Sequence, residues 1–125
     1  MTSRHLTDRR QGLGRRGEAL AKRYLEQAGY DILAADYRAS RRQIDLIGRR
    51  GRELVFVEVK TRALSAASRE ENPLRSSQIK NLKRAARDYC HGHRRAGDIV
   101  RLDLIIILAD TGRGRADLRH YRDVA

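Results

Sequence analysis

The alternation of apolar and polar positions divides the chain into two helical stretches and at least four extended ones. From Leu13 to Ala28 the apolar positions follow a helical stripe: Ala21, Leu25 and Ala28 lie in line, with Leu20 and Tyr24 beside them, and Gly29 is a natural C-terminal stop. YDILAADYR (30–38) and QIDLIG (43–48) read as strands, and the turn around Gly51 leads into a third, LVFVEVKTR (54–62). The polar stretch 61–77 holds the only proline and predicts a mobile loop. Ser76 or Ser77 can cap a second helix running to about His91, with Ile79, Leu82, Ala86, Tyr89 and Cys90 at helical spacing and Gly92 as its stop. IVRLDLIIILAD (99–110) is continuous enough for a central strand, and the tail adds a short strand or a helical turn. Residues 1–12 carry no period and predict a loose basic arm ahead of a single domain at 13–125. The composition suits a thin α/β sandwich.

One segment breaks the pattern. Leu54, Val55, Phe56, Val57 and Val59 are residues of a buried strand, yet Glu58 and Lys60 stand inside the run. Side chains two apart in a strand share a face at about 6.6 Å, so Glu58 and Lys60 point the same way with Phe56, while Val55, Val57 and Val59 pack the other side. If QIDLIG and LVFVEVK form an antiparallel hairpin, setting Arg49 opposite Leu54 puts Asp45 across from Glu58. A two-residue loop moves the partner of Asp45 to Phe56 and leaves Glu58 on the diagonal; a three-residue bulged loop would separate the faces.

Two carboxylates so close repel unless a cation lies between them or one is protonated. A hard divalent ion resolves the conflict, since Mg²⁺ takes one or two carboxylates plus waters and substrate phosphates. Asp45, Glu58 and the carbonyl of Val59 are the candidate ligands of Mg²⁺ or Mn²⁺, and Lys60 stands where it could orient an attacking water or stabilise charge on a phosphate. Glu18, three and seven residues before Ala21 and Leu25, projects from the inward stripe of the first helix and is a further catalytic candidate. Simpler accounts exist for the same residues: a plain cross-strand ion pair between Asp45 and Lys60, and a helix-dipole carboxylate at Glu18.

Charge bears on the choice. Basic residues number 28 against 16 acidic ones, for a net charge of +12, and only Lys22, Lys60, Lys80 and Lys83 are lysines, which leaves 28 − 4 = 24 arginines. Arginine suits bidentate contact with phosphate, so a polyanionic partner, DNA above all, is expected, with Arg15, Arg16, Arg41, Arg42, Arg62 and Lys80 as candidate contacts. A genome rich in arginine codons would raise the Arg/Lys ratio without by itself producing so large a net charge. Cys90 is the only cysteine, which excludes a disulfide or a thiolate zinc site within one chain. His91-x-His93 lacks further ligands at matching spacing, and no phosphate-loop or dinucleotide signature is present. The longest apolar run, Leu104 to Ala109, is too short to span a bilayer, so a cytoplasmic protein without membrane partners is expected.

Taken in order, a helix with Glu18, then Asp45, then twelve residues to Glu58-Val59-Lys60, then a helix, resembles the core of the PD-(D/E)XK nuclease superfamily, which includes archaeal Holliday junction resolvases and restriction endonucleases. More closely, GRRGEALAKRYLEQAGYDILAADYR, QIDLIG, LVFVEVKTR, IKNLKRAARDYC and VRLDLIIIL resemble, in order, blocks of the YraN family of small bacterial proteins, over roughly residues 12–123. The resemblance implies a restriction-endonuclease-like α/β fold, a central mixed sheet flanked by helices. It also implies a metal-binding pair at Asp45 and Glu58, a catalytic lysine at Lys60 and a first-helix carboxylate at Glu18. Resolvases of the superfamily act as symmetric homodimers. This chain departs from the usual pattern at Gln43, where relatives generally carry Glu. The expectation is a metal-dependent endonuclease acting on DNA, of branched or repair intermediates. The alternative is a non-catalytic nucleic-acid-binding or adaptor protein that keeps the fold.

Overall fold

The computed structural model describes residues 2–39, 41–63, 74–110 and 114–125, with side chains from Arg15 onward except Ala39. Its elements are α1 (Thr2–Gln27), β1 (Asp31–Ala39), β2 (Arg42–Arg50), β3 (Glu53–Ala63), α2 (Ser76–His93), β4 (Ile99–Asp110) and β5 (Arg115–Tyr121). The strands form one sheet in the order β1-β2-β3-β4-β5, with β3 and β4 parallel and every other pair antiparallel. This is the mixed α/β sheet flanked by helices that the sequence predicts. The parallel step requires a crossover, and α2 supplies it.

Each helix covers one face. Val55 and Val57 of β3 pack with Ala21 and Leu25 of α1 and with Ile105 and Ile107 of β4. On the other face Leu54 and Phe56 meet Leu82, Ala85, Ala86 and Tyr89 of α2. A third cluster, Leu104, Ile106 and Leu108 of β4 with Leu74, closes the β4 end of the sheet. The two-faced reading of LVFVEVKTR is therefore correct for its first half: odd positions serve α1 and even positions serve α2.

Three boundaries differ from expectation. α1 begins at Thr2, not Leu13, so the backbone of the expected basic arm is helical. Arg, Leu and Gln in that stretch are sound helix formers and can propagate a helix without an apolar stripe. A consequence is that Glu18 lies 18 − 2 = 16 residues into the helix, about four turns, where the N-terminal dipole no longer reaches. At α2 the cap is Arg75 rather than Ser76 or Ser77, with the Arg75 amide donating to Oε1 of Gln78 at 3.0 Å. The helix also runs through Gly92 to His93, because the Arg94 amide bonds the Cys90 carbonyl and the His93 ring stacks on Tyr89 at 4.3 Å. Gly29 does end α1 as expected, with φ +93. Most of the loop expected at 61–77 lies outside the described residues; β3 continues to Ala63, and Leu74 is buried.

Polar anchors fix α1 against the far strands. Asp103 on β4 is fully buried and takes hydrogen bonds from Arg101 Nε (2.9 Å) and from the Asp123 amide (3.0 Å). His120 of β5 bridges from Asp103 (2.7 Å) to the Tyr24 hydroxyl on α1 (2.8 Å). Burial alone would raise the Asp103 carboxyl, but the bonds from His120, Arg101 and the Asp123 amide override it and hold the group below the ordinary carboxylate range. α1 is thus tied down two turns beyond Glu18, which limits where that carboxylate can go.

Candidate metal centre

The β2–β3 hairpin closes on the two-residue turn Gly51-Arg52, and Arg50↔Glu53, Arg49↔Leu54, Gly48↔Val55, Ile47↔Phe56 and Leu46↔Val57 are paired. The expectation that a two-residue loop moves the partner of Asp45 to Phe56 is therefore corrected: that holds for a turn at Arg50-Gly51, and the turn lies one residue later. The register is the one that aligns Asp45 with Glu58, and Gly51, at φ +60, makes the tight turn possible without strain. The ladder nevertheless stops one pair short: β2 parts from β3 after Leu46↔Val57. In the gap the Asp45 carboxylate accepts the Val59 amide at 2.8 Å, supplying the acceptor that the departing strand no longer offers. The alternation of β2 also slips here, since Ile44 and Ile47, three apart, both enter the α2 core while Leu46 enters the α1 core.

β1 brings a third acid to this opening. The flanking pairs Ala35↔Leu46 and Tyr37↔Ile44 leave Asp36 opposite Asp45, and Asp36 has φ +52, a left-handed conformation that Asp tolerates better than most residues. Glu18, from α1, completes the group: carboxylate oxygens of Glu18, Asp36 and Asp45 all lie within 4.8 Å of one another. Gln43 donates from Nε2 to Oδ1 of Asp36 at 3.0 Å, a bond that an ionised Glu at that position could not make. Gln43 therefore steadies the carboxylate that faces Asp45.

The electrostatics record the crowding. Burial first, then the charges of Asp45 and Asp36, raise the Glu18 carboxyl from 4.5 to about 7, and a hydrogen bond with Asp36 adds to the shift. Asp45 is also raised, by burial above all, with the Val59 amide working against it. Glu58 rises from 4.5 to about 7 through burial and the Asp45 charge, which outweigh the help from Lys60. Lys60 is thus close enough to act on both Asp45 and Glu58. Glu18, Asp36 and Asp45 share so small a volume that a cation among them would relieve their mutual repulsion, so the donor set fits a hard divalent ion.

Of the residues expected at a site, Glu18 and Asp45 converge directly, and Glu58 and Lys60 adjoin them. The compact trio includes Asp36 where Glu58 was expected, and Val59 contributes its amide to Asp45. Asp36 was missed, although a carboxylate in the strand AADYR breaks an apolar run much as Glu58 does. The arginines divide: Arg15 and Arg16 are exposed on α1, one turn or less from Glu18, whereas Lys80 is on α2, which packs the opposite face of the sheet. Arg41 is exposed beside β2, Arg42 keeps a buried Nε, and Arg62 donates to the Thr61 carbonyl at 3.1 Å.

Comparison with known proteins places the chain in a family. A family model described as uncharacterised protein family UPF0102 matches residues 17–107, from the residue before Glu18 through most of β4. The chain belongs to this family. It is 36% identical over 110 residues to a UPF0102 protein of Anaeromyxobacter dehalogenans, covering 88% of this chain and 82% of the relative. A UPF0102 protein of Arthrobacter is 36% identical over 112 residues, covering 90% and 94%. One from Chlorobium limicola is 40% identical over 98 residues, covering 78% and 76%. The span matched by the family model contains Glu18, Asp36, Asp45, Glu58 and Lys60, so the whole candidate centre falls within the matched residues. Among the described residues no helix is long and apolar enough to cross a membrane.

Proposed function

We propose that this UPF0102 protein is a divalent-metal-dependent endonuclease that hydrolyses phosphodiester bonds of DNA, with branched or repair intermediates as its substrates. The observation that carries the reading is the convergence of Glu18, Asp36 and Asp45, from α1, β1 and β2, on the gap where β2 leaves β3. A protein that merely bound phosphates with arginine would gain nothing from a cluster of carboxylates there, because they repel a polyanion unless a cation intervenes.

Glu18, Asp36 and Asp45 would hold Mg²⁺ or Mn²⁺, with Glu58 at its border. When bound, such an ion offsets negative charge developing on the transferred phosphoryl group. The chain's own residues do the rest. The Val59 amide fixes the Asp45 carboxylate, so the ligand is oriented before substrate arrives. The Lys60 ammonium, beside Glu58 and Asp45, can hold the attacking water or meet a non-bridging phosphate oxygen. Glu58, near 7 in the bare site, can accept a proton from that water.

The test is incubation with duplex, single-stranded, flap and four-way DNA, with Mg²⁺ or Mn²⁺ and with chelator. Cleavage that needs the metal and falls by at least about 100-fold in Lys60→Ala is expected. No cleavage of any substrate, or cleavage indifferent to Lys60→Ala and Glu58→Ala, overturns the proposal.

A further inference from the structure

A groove runs along α1 on the side away from β1. Two cavities of about 250 and 230 Å³ lie end to end in it, sharing Leu20 of α1, Ile107 of β4 and Ala116 of β5. The first reaches Arg16, Gly17 and Thr61, the residues immediately before Glu18 and immediately after Lys60. The second is walled by Tyr24, whose ring is held edge-on to His120 by the hydroxyl bond, and by Leu118. Gly17 lets the two elements meet, since a Cβ there would collide with Oγ1 of Thr61.

The floor is apolar and the rim is not. Leu20, 39% exposed, presents its side chain where the two cavities join. Arg16, Arg23 and Arg115 stand at the rim against Asp110 and Asp117, leaving it net positive. Arg16 and Arg23 are seven residues apart on one helix, roughly 10 Å along its axis. Each cavity is below the roughly 300–1,000 Å³ of a site for a drug-sized ligand, so each suits one flat apolar group rather than a large molecule.

We propose that this groove receives two successive unstacked nucleotides of a single DNA strand, their bases against Leu20, Ile107 and Tyr24 and their phosphates on Arg16, Arg23 and Arg115. A paired duplex cannot enter, because the apolar floor is reached only by a base whose face is free. The strand leaves the groove over the surface where Gly17 meets Thr61, beside Glu18 and Lys60. The substrate class is therefore DNA with an unpaired strand, such as a flap, a fork or a frayed end. This placement rests on the nuclease reading, but strand binding itself does not.

The test is fluorescence anisotropy without divalent ions, using labelled oligothymidylate and a blunt duplex, with Lys60→Ala protein as the parent so that cleavage plays no part. The single strand should bind more tightly than the duplex. Ala116→Phe, which fills the junction of the two cavities, should weaken single-strand binding by about tenfold or more and leave duplex binding unchanged. Arg16→Ala with Arg23→Ala, both at exposed positions, should lower the slope of log affinity against log salt by about 1.4, from about 0.7 for each lost contact. Equal affinity for strand and duplex, or Ala116→Phe and the double variant both binding like the parent, overturns the proposal. Strand-selective binding without cleavage in the substrate panel overturns the nuclease reading alone; cleavage with the groove variants unaffected overturns the groove alone.

Discussion

Glu58→Gln should stabilise this protein at alkaline pH, although the substitution deletes a charged group from a candidate active site. The carboxyl of Glu58 is raised from 4.5 to about 7, with burial the largest cause and the Asp45 charge next. A group whose folded value is raised holds its proton longer when folded than when unfolded. Stability is therefore intact below about pH 4.5, declines as pH rises towards 7, and stays reduced above that. The displacement, 7 − 4.5 = 2.5 pH units, would correspond to about 3.4 kcal/mol at about 1.36 kcal/mol per unit. Partial solvent access and the shared titration with Glu18 reduce this to about 1–2 kcal/mol. Gln keeps the shape and cannot ionise. For a chain of this size the gain should appear as a rise in Tm of roughly 3–8 °C near pH 8.5 and almost none near pH 4. Thermal denaturation followed by circular dichroism, in chelator at both pH values, measures it. If Glu58→Gln lowers Tm to the same extent at both pH values, the carboxylate is not strained, and the electrostatic case for a cation at this site fails with it.

Two further outcomes follow from the same geometry. Asp36→Asn keeps a residue that tolerates positive φ while removing one carboxylate of the trio; saturating Mg²⁺ or Mn²⁺ at roughly 100 times Kd should raise the stability of the wild type by about 2.7 kcal/mol and that of Asp36→Asn by clearly less, read as Tm against ion concentration. Asp103→Asn removes the buried carboxylate that Arg101 and His120 both bond, leaving Arg101 only Glu53 as counter-charge, and should cost about 3–5 kcal/mol in urea denaturation near neutral pH, with no dependence on divalent ions; a loss below about 1 kcal/mol would show that the network does not anchor α1.

What could be read from the residues alone was whatever repeats at short range. The limits of β4 follow from an apolar run, and the opposed faces of β3 follow from alternation, so Glu58 and Lys60 could be placed on one side before any fold was in view. The hairpin register was legible as one of two options, because Gly51 marks the turn but does not say whether it is the first or the second residue of it. Asp36 was not legible. Its position opposite Asp45 depends on a register shift between Ile32 and Ala34 and on a left-handed φ, neither of which leaves a periodic trace. The same holds for Tyr24, Asp103 and His120: their spacing in sequence is 79 and 17 residues, and only the β4–β5 pairing and the seat of α1 bring them together. The C-terminus of α2 misled for a local reason, since Gly92 looks like a stop but a His93 ring stacked on Tyr89 carries the helix one residue past it.

The charges at the two ends of β3 make the case for where function resides. At its beginning, Glu53 meets Arg50 at 3.1 Å and Arg101 at 3.0 Å, and the neighbouring Arg49–Asp98 pair closes at 2.7 Å. Every one of those acids has a cation in contact, and Asp98 is held well below the usual carboxylate range chiefly by its bonds from Arg49 and the Arg95 amide. Towards its far end, Glu58 lies among Asp45 and Glu18 with Lys60 as the nearby cation, and its carboxyl is raised instead of lowered. A fold that neutralises its acids at one end of a strand and crowds them at the other supports the proposal that a bound cation completes the second end.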